Sequence, residues 1–253
     1  MYDKKETEIS YDYLKIIISK LKEPIIIIGG WATYLTVNSR YKSEFGTDYI
    51  GSRDVDLGFN TIKSFKYTSN ILEENGFKLV SFRYLKEINY ETGKELTKEE
   101  SITTPIHNIF PMYIDLLIAE TNKQIINELG FAPADEPLVK LVFENKKYRT
   151  ELIEFNKKLW LPSPPLLLAT KINSVVNRGQ THKKIKDYCD IVALCLYSGE
   201  DISTLISFIK NHTIKERLIK FKTNITKEEL EQVSSILRIN KDIIEKLILK
   251  IIV

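Results

Sequence analysis

The chain has 253 residues, 43% hydrophobic and 28% charged, which is enough apolar material for one large or two small cores and excludes a disordered composition. A formal charge of +3 and a pI near 8.6 permit nucleotide or nucleic-acid partners without demanding them. Only two cysteines occur, Cys189 and Cys195, six positions apart in a helix-like stretch, which excludes a disulfide scaffold and a Cys/His zinc site.

The elements follow in chain order. Residues 10–22, "SYDYLKIIISKLK", predict a first helix with Ser10 as N-cap, closed by Pro24. No secretory signal is expected from the charged start, and no apolar run approaches the roughly 20 residues of a membrane helix. A cytoplasmic protein without a membrane partner is the expectation. "IIIIGG" (25–30) predicts a buried strand running into a tight turn. "WATYLTVNSR" (31–40) predicts a helix, and the polar, aromatic "YKSEFGTDYIGSR" after it a loop or insertion. A strand "DVDLGF" follows, then a helix over 61–75 that Gly76 ends. Residues 77–90 and 101–118 read as strands separated by "NYETGKE", and "MYIDLLIAE" (112–120) holds a single acid, Asp115. "PLVKLVFENKKYRTELIEF" (137–155) reads as two short strands around "ENKKYR", with a helix as the alternative for part of it.

At "LPSPPLLLAT" (161–170) the character changes. Glycine nearly vanishes and helical periodicity takes over, with Ser163 as N-cap and Pro164–Pro165 in the first turn. This predicts two domains, 1–160 and an α-helical 161–253. The final "KDIIEKLILKIIV" is apolar on one side of a helical wheel and predicts a helix packed on the others in preference to a membrane anchor.

Alternation at period two puts Asp54 and Asp56 on one strand face and Val55 and Leu57 on the other. Neighbouring like charges repel, and a carboxylate inside "YIDLLI" must be neutralised, hydrogen-bonded or bound to a cation. One arrangement serves all three acids. Adjacent strands bring Asp54, Asp56 and Asp115 together around Mg²⁺ (or Mn²⁺), which takes oxygen ligands and completes its shell with phosphate oxygens and water. The amides of Gly29 and Gly30, at a helix N-terminus, can hold those phosphates. Other readings stay open. Asp115 can pair with Arg53 or Arg83, the glycine pair can be a turn only, and Trp31 can be core or the wall of a base pocket. His107, His182 and His212 are scattered and read as structural or surface residues.

The elements "IIGGW" (27–31), "RDVDLGF" (53–59) and "YIDLLI" (113–118) resemble the DNA polymerase beta-type nucleotidyltransferase superfamily. The resemblance implies an α/β (α+β) nucleotidyltransferase fold, a mixed sheet flanked by helices, followed by an α-helical domain that completes the active site. It implies metal binding at Asp54, Asp56 and Asp115, and nucleotide binding around Gly29, Gly30, Trp31 and Arg53. Residues 31–53 separate Gly30 from Asp54, a longer interval than the superfamily commonly shows, read here as a loop inserted at about 40–52. The stretch "LLLATKINSVVNRGQTHKKIKDYCDIVAL" (166–194) resembles the AbiE-type abortive-infection nucleotidyltransferase toxins. Their signature matches Lys171, Arg178, Lys186, Asp187 and Asp190. Lys171 and Arg178, seven apart, are expected to share a helix face and to offer two cations to a triphosphate. Asp187 or Asp190 is expected to orient a lysine or to act as base on the acceptor hydroxyl. Against this stands an ordinary solvated helix start in which Lys183 pairs with Asp187.

The expected activity is Mg²⁺-dependent transfer of a nucleoside monophosphate from an NTP to an acceptor. The resemblance favours RNA, in particular the 3′ end of tRNA, and an antitoxin partner protein. The basic residues Arg178, Lys183, Lys184 and Lys186 suit a phosphate backbone. A small-molecule acceptor, a protein hydroxyl and a catalytically idle nucleotide- or partner-binding protein are the rivals.

Overall fold

In the computed structural model, which describes residues 2–179, 181–213 and 215–252, the chain divides into two compact units. One comprises Tyr2–Trp31 and Gly51–Pro162; the other comprises Ala32–Ile50 and Ser163–Val253.

The first unit is built on a mixed sheet. Four β-branched residues form β1 (Ile25–Ile28), and all four are buried, as a central strand covered on both faces requires. β2 (Val55–Phe59) runs antiparallel to it, with Val55 and Leu57 buried and Asp56 half-buried. After α3 (Ile62–Glu74), capped by Thr61 and followed by Gly76 at φ +79°, come β3 (Lys78–Val80) and β4 (Arg83–Asn89). β5 (Ile109–Ile118) alternates half-exposed and buried residues along its length. It pairs antiparallel with β4 and parallel with β2, and β6 (Ala134–Asp135) joins its far end. β7 (Arg149–Glu154) and β8 (Lys157–Pro162) form a hairpin that docks through β8 beside β1. The strand order is β3-β4-β5-β2-β1-β8-β7, with β6 beside β5.

Four local expectations change. The first helix, α1, spans Lys4–Lys20 and not 10–22. Asp3 is its cap, accepting from the Lys5 and Glu6 amides, while Ser10 is buried within the helix and accepts a hydrogen bond from Trp31 Nε1 at 3.1 Å. α2 (Gly29–Phe45) runs five residues beyond the predicted stop at 40, so the expected insertion is partly helix. Tyr41 and Phe45, one turn apart, pack with their rings tilted at 4.7 Å between centroids, and both meet Tyr197 edge-on. Residues 101–108 are not strand: a capping box of Thr97 and Glu100 starts α4 (Lys98–Thr103). In 137–155 the first half is helix, α6 (Val139–Glu144), after the short α5 (Lys123–Leu129), and only the second half is strand.

The second unit is helical: α2 from Ala32 onward, then α7 (Pro164–Val175), α8 (Thr181–Tyr197), α9 (Ile202–His212), α10 (Lys215–Asn224), α11 (Lys227–Leu237) and α12 (Lys241–Ile252). Pro164 and Pro165 open α7, though Ser163 makes no side-chain cap bond. α8 is its axis, buried from Ile185 to Cys195. Both cysteines lie there as free, buried thiols, and burial pushes both thiols up, Cys195 to about 12. α12 buries Ile244, Leu247, Ile248 and Ile251 and packs against α8, α10 and α11. No helix among the described residues is long and apolar enough to cross a membrane.

Candidate nucleotide and cation site

The register of the sheet places the first cluster. Arg83 on β4 lies opposite Asp115 on β5, Asp115 opposite Asp56 on β2, and Asp56 opposite Ile28 at the end of β1. Directly opposed residues point to one face, so a guanidinium and two carboxylates stand in a row across three neighbouring strands. The face is the half-exposed one; Tyr84, Ile114 and Val55, one position along each strand, are buried on the other. Asp54, one residue ahead of β2, reaches the same guanidinium.

Two carboxylates directly opposed on neighbouring strands destabilise a sheet unless a cation answers them. Arg83 is that cation. Its Nε donates to Asp115 Oδ1 at 2.6 Å, and its Nη2 donates to Asp115 Oδ2 at 2.9 Å and to Asp54 Oδ2 at 3.0 Å. The guanidinium lies 4.2 Å from the centroid of the Tyr113 ring, which covers one of its faces. Burial works against its charge, yet the hydrogen bonds and charge of Asp115, then those of Asp54, hold it more firmly protonated than an ordinary arginine. Of the two arginines left open for Asp115, the register selects Arg83. Arg53 instead pairs with Glu6 at 3.1 Å and stacks over Phe110.

Asp56 sits where β1 turns into α2. Gly29 has φ +67°, and a Cβ built on it would lie 2.0 Å from Asp56 Oδ2; a Cβ on Gly30 would meet Ser52 Oγ at 2.6 Å. Both glycines therefore leave space for side chains from the turn ahead of β2 and from β2 itself, and the carboxylate of Asp56 rests against the N-terminus of α2, where the helix dipole favours negative charge. Trp31 is core: it is 2% exposed, bonded to Ser10 and tilted against Tyr11 at 5.1 Å.

The donor chemistry suits a hard divalent cation, being carboxylate oxygen only, but Arg83 already occupies oxygens of Asp54 and Asp115. Among the described residues, however, no three acid, His or Cys side chains converge closely enough to hold a metal ion as they stand. Asp54 and Asp115 converge on Arg83, and Asp56 on the glycine turn.

The second cluster lies within the helical unit. Lys171 on α7 touches Asp187 at 2.9 Å and Asp190 at 2.7 Å, both on α8. Arg178 bonds Asp187 at 2.7 Å from beyond the end of α7, so it reaches the same acid as Lys171 without sharing the expected helix face. Ser174 also donates to Asp187, Lys186 pairs with Asp190 one turn away, and Tyr49 donates to Asp190 at 2.8 Å. Asp187 and Asp190 are almost fully buried, so the solvated-helix reading fails for both. Despite its burial, Lys171 is held protonated by Asp187 and then Asp190. Of the basic residues considered for RNA, Lys186 is spent here and Lys184 pairs with Glu229 at 2.8 Å. Tyr49 escaped the sequence reading because nothing in the loop after α2 marks it as Asp190's partner.

Burial raises the Asp187 carboxyl, but Lys171 and then Arg178 outweigh it and hold the group below its ordinary 3.8. A folded value below the unfolded one stabilises above the unfolded value, and that stability is lost as the pH falls through the folded one. Urea titrations are therefore expected to show the midpoint dropping as the pH falls below 3.8, with a weaker drop in Asp187→Asn.

No family model matches the chain, and no curated protein matches it. Among solved structures it is similar to an antigenic nucleotidyltransferase-like protein from Paracoccidioides brasiliensis, at 16% identity and a TM-score of 0.41, with 93% of each chain covered.

Proposed function

We propose that the protein is a nucleotidyltransferase that moves a nucleoside monophosphate from an NTP to an acceptor hydroxyl. The observation that supports this most is the cross-strand row of Asp56 and Asp115, with Asp54 beside it, at a glycine-opened helix N-terminus. Acids for a cation and amides for phosphate then occupy one end of β1 and β2. Asp54, Asp56 and Asp115 would hold Mg²⁺, which when bound supplies charge stabilisation for the departing pyrophosphate. Gly29 and Gly30 at the start of α2 offer amides toward phosphate oxygens. Asp115, at the centre of the row, would orient or deprotonate the acceptor hydroxyl.

The RNA acceptor, and with it an antitoxin partner, rests on the resemblance of residues 166–194. The buried cluster of Lys171, Asp187 and Asp190 acts in this reading as the frame of the helical unit. The purified protein, incubated with labelled NTPs, Mg²⁺ and either total RNA or no acceptor, is expected to label RNA, and Asp56→Ala to abolish the label. Label on the protein itself would move the acceptor to a protein side chain. Nucleotide binding without transfer under any divalent metal would sink the enzymatic reading.

A further inference from the structure

We infer that Arg83 is a lock on the acid row: the protein takes up a divalent cation together with a polyphosphate, and takes up the bare cation poorly. The inference rests on the nucleotidyltransferase reading and adds an order of events and a phosphate-binding role for a residue outside the resembling motifs. Arg83 uses both Nε and Nη2 on Asp115 and shares Nη2 with Asp54, so one guanidinium ties together two of the three acids a metal needs. A bare ion has to compete with that fork for the same oxygens, and it offers the displaced guanidinium nothing in return. A polyphosphate does offer something. Its oxygens match the planar fork of an arginine in the same bidentate way that a carboxylate does. Arg83 would then exchange the acids for the phosphate and leave Asp54 and Asp115 to the cation, and no charge would be stranded.

The geometry permits the exchange. The Arg83 side chain is 22% exposed, on the half-exposed face of the sheet, and Tyr113 supplies a flat surface along which the guanidinium can shift. The row itself fixes the distance to be covered. Asp56, the acid nearest the glycine turn where phosphate amides lie, is two strands from Arg83, about 10 Å at ordinary strand spacing, within the reach of an extended arginine to a chain of phosphates.

The test uses Mn²⁺ and inorganic tripolyphosphate, which has no base to recognise. Enhancement of water-proton relaxation reads Mn²⁺ on the protein whether or not it carries phosphate. The native protein is expected to bind the preformed Mn²⁺–tripolyphosphate complex at least tenfold more tightly than Mn²⁺ alone. In Arg83→Gln the order should invert, with bare Mn²⁺ bound at least tenfold more tightly than by the native protein and the complex more weakly. Arg83→Lys, which keeps the charge without the fork, should fall between them, and circular dichroism of both variants checks that they fold. Equal affinity for bare Mn²⁺ in native and Arg83→Gln protein overturns the lock while leaving the acids a metal site. Absence of Mn²⁺ binding in every form overturns the lock together with the metal reading.

Discussion

Asp190→Ala is expected to cost about 3–5 kcal/mol of stability, the range for removing one partner from a buried ion pair. Asp190 has no exposed surface and answers two buried ammonium groups, Lys171 at 2.7 Å and Lys186 one helical turn away. It also accepts the hydroxyl proton of Tyr49, which burial and then the Asp190 charge hold well above an ordinary phenol. Truncation leaves Lys171 on Asp187 alone and takes the carboxylate from Lys186, in a helix whose neighbouring residues are fully buried. Asp190→Asn keeps the shape and can still accept from Tyr49, so a smaller loss is expected. Arg178→Ala should cost about 1 kcal/mol or less, because that side chain is 37% exposed and solvent screens its pair with Asp187. Urea unfolding followed by circular dichroism ranks the three; a loss below about 1 kcal/mol for Asp190→Ala would show that the cluster is not the electrostatic frame of this unit. The ranking bears on function too. Loss of transfer in Asp190→Ala would first have to be separated from loss of fold before that acid is called catalytic.

What the sequence made legible is what is encoded locally. Four β-branched residues before a glycine pair, and a period-two run with two acids, announce β1 and β2 because burial and alternation leave their mark residue by residue. The start of α1 lies in a solvated stretch where hydropathy is silent, and Ser10 offered a cap that the fold spends on Trp31. The helix after Thr97 is encoded, since Thr97 and Glu100 carry the capping-box spacing, but the β-branched residues of "SITTPIHNIF" carry a competing strand signal. Register lies beyond such signals, since it depends on pairing between segments far apart in the chain. The choice between Arg53 and Arg83 was therefore open until β4 met β5. The two cations of the second cluster show the same limit. Spacing placed Lys171 and Arg178 on one helix, whereas the helix stops at Val175 and only the acid on α8 brings them together.

Gly29→Ala is the substitution expected to damage the acid row most without touching an acid. Two costs add. At φ +67° an alanine pays about 1–2 kcal/mol for the left-handed conformation, and its Cβ would stand 2.0 Å from Asp56 Oδ2 and 2.8 Å from Asp56 Cγ. That second contact is too short for any real pair of atoms, so the carboxylate or the turn must move. Asp56 is held by its ladder position opposite both Asp115 and Ile28, which leaves the side chain, and with it the candidate cation ligand, to give way. Gly46 supplies the control: its φ is +69°, but open space surrounds its Cβ position, so Gly46→Ala pays for the backbone alone. Gly29→Ala is expected to be the less stable of the two by more than about 1 kcal/mol in urea unfolding. Under the proposed function, nucleotidyl transfer by Gly29→Ala should fall on the order of a hundredfold, the loss that displacing a reacting group by about an ångström can cause, and transfer by Gly46→Ala should be unchanged. Equal stabilities and unchanged transfer would mean that Asp56 rotates aside freely, and an acid so loosely placed could not be the cation ligand that the proposed function requires.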